Sequence, residues 1–362
     1  TALYSTVNGG KAVAVGYKAL YAMNPSSDTD TYNVAVGFEA GKEVTTGTTN
    51  TLIGSLAGDA LTTGTANVAL GYGALSAEDA HGHNIAIGYH ALVAQNAGAN
   101  AYNVAIGSAA GSSISTGVEN VLIGGLSGDA ITTAKYNVAV GHSSLSGNVE
   151  GWKNVAIGQN ALKNMNPASP TDTYNVGIGH NAGISITTAT QNTLIGGLAG
   201  DTLTTGVRNV AIGYLALSSE DADSYNTAVG TYALHQLNAG ADGFNTAIGY
   251  NSGEAMSTGV QNTIIGALAG DALTTGSRNI AIGYAALTSE DTGGRNIAIG
   301  RSALNNLDAG SDAYNVAIGD EAGIAVTTGT QNTIIGGLAG DALTTGSTNV
   351  AIGYQALSTE DT

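Results

Sequence analysis

The chain has 362 residues, enough for two or three ordinary domains, but 54 glycines against only three prolines and no cysteine set it apart from them. Hydrophobic residues at 43% and charged ones at 10% exclude a solvated coil, and so few prolines exclude collagen. Ten basic against 27 acidic residues give a formal charge of −17, which disfavours nucleic acid, and the lack of cysteine excludes disulfides and thiolate metal sites.

In chain order the first recognisable element is KAVAVG at Lys11–Gly16, followed by the polar loop AMNPSSDTDTY. Then come NVAVG from Asn33, NTLIG from Asn50, NVALG from Asn67 and NIAIG from Asn84, and after the loop AQNAGANAY the cycle begins again at Asn103. The asparagines are 17 residues apart three times, then 19 or 21, so four short units build a superrepeat of 70 or 72 residues. Superrepeats start near 33, 103, 175, 245 and 315, and Ala12 takes the asparagine position in the earliest unit. No apolar run reaches the ~18 residues of a membrane span, and no signal peptide is visible.

The columns are strict. Counting from each asparagine, the third residue on is Val, Ile or Leu, the fourth is Gly and the seventh is Ala or Ser. The eighth runs Gly, Gly, Leu, Leu, as in Gly41, Gly58, Leu75 and Leu92. Seventeen residues are too few for a strand, a helix and their connections, but enough for two short strands and two turns. The prediction is one coil of a parallel β-solenoid (a β-roll), about twenty 17–21-residue coils in all, with residues 1–362 as one continuous segment. At ~4.8 Å per coil this makes a rod of roughly 95 Å. The aliphatic column three after the asparagine is expected to fill the interior, and the invariant Gly to sit where a Cβ would strike the next coil. The asparagine itself reads as a left-handed turn residue or as an amide ladder.

The units NVAIGYQAL, NTAIGYNSG and NIAIGYHAL resemble the head repeats of YadA-type trimeric autotransporter adhesins. They are also similar to the Asn-Thr-Ala-Ile-Gly-Tyr-x-Ala-Leu repeats of bacteriophage tail fibres and related bacterial surface proteins. The resemblance covers essentially the whole chain and implies a left-handed β-roll, a homotrimer and a role in attachment. This sequence departs from the adhesin pattern in its longer coil and four-coil superperiod. Its two ends fall in the same part of the same type of coil, which is expected of a slice of a longer fibre or of units meeting head to tail.

Several motifs invite a chemical reading. NTIIGGLAGDALTTG from Asn332 and its copies look like a phosphate loop, but no Lys follows any of them, so they read as structural rungs. Asp59, Asp129, Asp201, Asp271 and Asp341 form one column of the second coil, and the pairs Glu78/Asp79, Glu220/Asp221, Glu290/Asp291 and Glu360/Asp361 lie in the third. Carboxylates on adjacent rungs suit a shared calcium ion; the alternative is a solvated turn that blocks lateral aggregation. His81, His83 and His90 cluster in only one of the five superrepeats and read as incidental. Thr62/Thr63, Thr204/Thr205 and Thr344/Thr345 mark turns whose hydroxyls bond local backbone. Tyr32, Tyr102, Tyr174, Phe244 and Tyr314 close the variable fourth-coil loops, as subunit contacts rather than sugar platforms.

The sequence therefore predicts an all-β structural and adhesive fibre segment, extracellular, at a cell surface or on a virion. It is expected to be no enzyme, with no catalytic, cofactor-binding or metal-ligating residue and no cofactor. The expected partners are other copies, as a homotrimer or head-to-tail filament, and a host-surface glycan or protein, with no nucleic acid and no membrane insertion. An ice-binding solenoid and a hexapeptide-repeat acyltransferase are the alternatives. Against the first, acidic or variable loops interrupt the Thr plane; against the second, each coil has one hexad and no catalytic His.

Overall fold

The computed structural model describes residues 2–4, 9–25 and 27–359. It is all-β, with about 20 parallel strands stacked as the turns of a β-solenoid at a spacing of about 17 residues. The chain forms two compact units, Thr1–Asn181 with Ser185–Thr188, and Ala182–Ile184 with Ala189–Thr362. Each contains ten three-residue strands, from Val13–Val15 to Val176–Ile178 and from Thr193–Ile195 to Val350–Ile352.

Each three-residue strand occupies the three positions after the asparagine, or after Ala12 in the earliest coil. Within each unit it pairs in register with the strands one coil before and after, as Val34↔Thr51, Ala35↔Leu52 and Val36↔Ile53. A longer loop leaves this register intact: Ile85 pairs with Val104 across 19 residues and Val155 with Val176 across 21. Insertions are therefore accommodated outside the sheet. The second strand expected in each coil is not general. The only further pairings among the described residues are Gly9–Gly10 with Thr29–Asp30 and Gly151–Trp152 with Thr171–Asp172. The reason is local, because the sixth and eighth residues after each asparagine take left-handed conformations, such as Glu39 (φ 56) and Gly41 (φ 56), and cannot extend. Their amides still bond between coils, Glu39 N–H to Tyr17 O at 2.8 Å and Gly41 N–H to Ala57 O at 2.9 Å.

The interior differs from expectation in one column. The residue two after the asparagine is the buried one, as Ala35, Leu52, Ala69 and Ala86, while the third residue faces outward. A strand alternates its faces, so the inward Ala/Leu forces both neighbours out. Inward packing also explains the Gly, Gly, Leu, Leu rhythm. Where the second residue is Leu52, a Cβ on Gly58 would lie 2.8 Å from Leu52 Cδ2, and one on Gly41, a coil earlier, 2.5 Å from Leu52 Cδ1. One leucine thus fills the space of two missing side chains. In the third and fourth coils, where the second residue is alanine, as Ala69 and Ala86, the eighth is leucine, Leu75 and Leu92, and the volume is restored. At the corner, Gly71 (φ +133) approaches the next coil so closely that a Cβ would lie 2.4 Å from Gly88 O, as the invariant Gly column predicts.

The asparagines form a buried amide ladder. Asn33 Nδ2 donates to Gly47 O of its own coil at 2.7 Å, while Asn33 Oδ1 accepts from Asn50 N–H at 2.9 Å. Asn50 repeats both bonds, with Gly64 O and Asn67 N–H. The left-handed residue is the one before it, such as Thr49 (φ 59) or Tyr136 (φ 61). Each amide therefore closes its own coil and fixes the next one. Asn120→Ala would orphan the Asn137 N–H and the Ala134 carbonyl, both held by Asn120 at 3.1 and 2.9 Å. Thermal and urea unfolding followed by circular dichroism should show a loss of roughly 3 kcal/mol. The same substitution at the exposed neighbour Glu119 should cost far less.

Candidate functional site

The outward residues of the sheet define the largest distinctive surface of each unit. The position after every asparagine is Val, Thr or Ile and the third is Val, Ile or Leu, without a single charge. These side chains stand half-exposed: Leu70 at 42%, Ile106 at 36% and Ile123 at 37% in the first unit, Ile212 at 36% and Ile248 at 40% in the second. Exposed aromatics at the fifth position border this face, Tyr17, Phe38, Tyr72 and Tyr89 in one unit and Tyr214, Tyr250 and Tyr284 in the other. Tyr17 stacks on Phe38 and Tyr72 on Tyr89, with centroids 5.3 and 5.7 Å apart. Large uncharged, mainly aliphatic surfaces of this kind are uncommon on proteins without a partner there. Sequence reasoning assigned the isoleucines to the core; strand alternation counted from the buried Ala/Leu was the signal that would have placed them outside.

The acidic residues divide into two populations. Glu78, Glu220 and Glu290 are fully buried, whereas their neighbours Asp79, Asp221 and Asp291 are not. The three glutamates occupy an interior column, eleven after the asparagine, that elsewhere holds Leu61, Ile131, Leu203 and Leu273. Each Oε1 caps its own turn, accepting from the backbone N–H of His81 at 3.1 Å, Asp223 at 2.7 Å and Gly293 at 2.7 Å. Asn148 does the same in the superrepeat without a glutamate, accepting from Gly151 N–H at 2.7 Å. A solvated turn describes the exposed Asp79 and Asp221 but not these glutamates; Glu360/Asp361 lie outside the described residues. The carboxylates of Asp59, Asp129, Asp201 and Asp271 are pushed above the usual range, chiefly by burial. The second-coil aspartates do not join the third-coil pairs. Among the described residues, the groups that converge are Glu78–Asp79–His81 and Glu290–Asp291–Asp308.

No known protein-family model matches the chain, and no curated protein matches it.

The remaining sequence-predicted residues are dispersed. His83 stacks on Tyr102 at 4.9 Å and His90 on Tyr89 at 4.0 Å, so the three histidines form no common site. The residues closing the fourth-coil loops are half-exposed, and each has one ring face covered by the preceding coil. Lys11 lies over Tyr32, Lys153 over Tyr174 and Arg295 over Tyr314, at 5.4, 5.1 and 5.3 Å, while Tyr225 stacks on Phe244 at 5.0 Å. Asp30, Asp172 and Asp312 pair with the three cations at 2.6 Å. Turn threonines bond the neighbouring coil, as Thr62 Oγ1 donating to Asp79 O at 2.8 Å and Thr274 Oγ1 to Asp291 O at 2.9 Å. No helix is long and apolar enough to cross a membrane among the described residues.

Burial pushes the Glu220 carboxyl up to about 8, helped by the neighbouring Asp223, and burial also raises Glu290. A carboxyl raised in the fold contributes stability while it is protonated, fully below its ordinary value of 4.5 and progressively lost as pH rises towards about 8. The thermal midpoint should therefore fall between pH 5 and pH 8. Glu220→Gln keeps the capping oxygen and should flatten that fall, with a gain on the order of 2 kcal/mol at pH 8. An unchanged pH profile in this variant would count against the assignment.

Proposed function

We propose that the chain is a structural and adhesive segment of an extracellular fibre, at a cell surface or on a virion, whose aliphatic sheet face packs against other copies of itself. The observation that carries this reading is the uncharged outer face, repeated in every coil. Covering the exposed part of one such isoleucine is worth on the order of 1 kcal/mol, and each unit repeats the contact ten times. An isologous or cyclic arrangement of identical chains meets this need directly, because each copy offers the same stripe at the same axial spacing. The resemblance of the NVAIGY-type units to trimeric adhesin heads and tail-fibre repeats favours three chains.

Attachment belongs to the fourth-coil loops in this reading. They are the most variable segments, and a Cβ placed at their tips Gly98, Gly240 and Gly310 would point into open space, with no atom beyond the adjoining residues within 4 Å. Their recurrence once per superrepeat provides multivalency, which converts weak contacts with a host glycan or protein into avidity. The formal charge of −17 keeps such a fibre soluble and discourages nonspecific contact with nucleic acid.

Light scattering coupled to size exclusion tests the self-association. The wild type at micromolar concentration should elute as an oligomer, with three chains expected. Ile123→Lys combined with Ile248→Lys should give single chains whose circular dichroism is unchanged, because both side chains already point outward. A monomeric wild type, or an oligomer indifferent to both lysines, would sink the proposal.

A further inference from the structure

The turn Glu78–His81 carries a feature that neither the fibre reading nor the packing absorbs. The Glu78 side chain is fully buried, yet only one of its oxygens is used. Oε1 accepts from the His81 backbone N–H at 3.1 Å and lies 3.2 Å from His81 Nδ1. Oε2 is buried with no hydrogen-bond partner. An unpartnered carboxylate oxygen inside a protein is costly unless a proton or a cation satisfies it. Asp79 and His81 offer further ligand atoms, and those of all three residues lie within 4.8 Å of one another.

We infer that Glu78, Asp79 and His81 form a binding site for one divalent transition-metal ion of the zinc class. Two carboxylates and one imidazole are a borderline donor set, which suits zinc or cobalt better than calcium, whose sites are built from oxygen alone. Glu78 supplies the oxygen that lacks a partner, the exposed Asp79 adds a carboxylate from the surface, and an ion replaces the hydrogen bond between Glu78 and the His81 ring. A fourth position, on the solvent side, is left for water.

The frame is held before any ion arrives. Asp79 O accepts from Thr62 N–H and Thr62 Oγ1 at 2.5 and 2.8 Å, and His81 O accepts from Asn67 Nδ2 at 3.0 Å. Both ends of the turn are thus tied to the neighbouring coil and to the amide ladder. The corresponding turns supply internal contrasts. Asn148 replaces the glutamate in one, and Asp223 or Gly293 replaces His81 in the others, so only the first carries an imidazole.

The full chain, stripped with a chelator, is titrated with Zn2+ by calorimetry and with Co2+ by its visible absorption. The expected result is one high-affinity ion per chain, a cobalt spectrum of low coordination number, and no competition from Ca2+ in excess. His81→Ala and Asp79→Asn should each weaken binding about tenfold or more, whereas His90→Ala should leave it unchanged. Asp79 is exposed, so Asp79→Asn keeps the test valid even if His81→Ala disturbs the fold. Absence of saturable binding overturns the assignment, and so does binding that both Asp79→Asn and His81→Ala leave intact.

Discussion

The whole structure depends on hydrogen bonding between coils in strict register. A single coil has one strand of three residues and several residues in left-handed conformations, none of which is stable in isolation. Left-handed geometry costs roughly 1–2 kcal/mol for a residue with a side chain. The axial bonds compensate, since the amides of these residues donate to an adjacent coil, those of Glu39 and Thr49 to the coil before and that of Leu75 to the coil after. The asparagine ladder adds a second, buried set of the same bonds. Each coil is thereby meaningful only between its neighbours.

From that constraint follow the narrow interior and the small residues within it. Backbones held one strand spacing apart admit no Cβ at the corner glycine, and the core of a level holds alanine or serine with one or two aliphatic side chains, such as Leu52 and Leu61. The glutamates at 78, 220 and 290 are the exception. They interrupt an aliphatic column because the third-coil turn has a backbone N–H that needs an acceptor, and the carboxylate reaches it. Asn148 shows that an uncharged amide meets the same need. The charge on the glutamates is therefore not required for capping, which directs attention to what else a carboxylate provides at Glu78.

In the proposed function the outer face and the loops divide the work. A sheet face that is uncharged in every coil would suit a partner with the same periodicity, which another copy of the chain has by construction. The fourth-coil loops vary in length and composition without disturbing the sheet, because the extra residues leave the ladder and rejoin it in register. Variation is thus confined to a surface where it changes contacts and not the fold.

The sequence by itself determined the solenoid, its period, the corner glycines and the position of the loops. Those follow from a spacing repeated about twenty times, and a repeat has to superpose its equivalent residues. It did not determine which side of the sheet faced inward. Alternation in a three-residue strand leaves two choices, and the third-column isoleucines, read as core, face outward because the strand turns only its middle residue inward, whether Ala69 or Ile264. Nor did it separate Glu78 from Asp79, adjacent acidic residues of which one is buried and one exposed. Nothing in composition distinguishes them. Only the path of the turn, fixed by hydrogen bonds to the coil alongside, decides which carboxylate meets the interior and brings His81 against it.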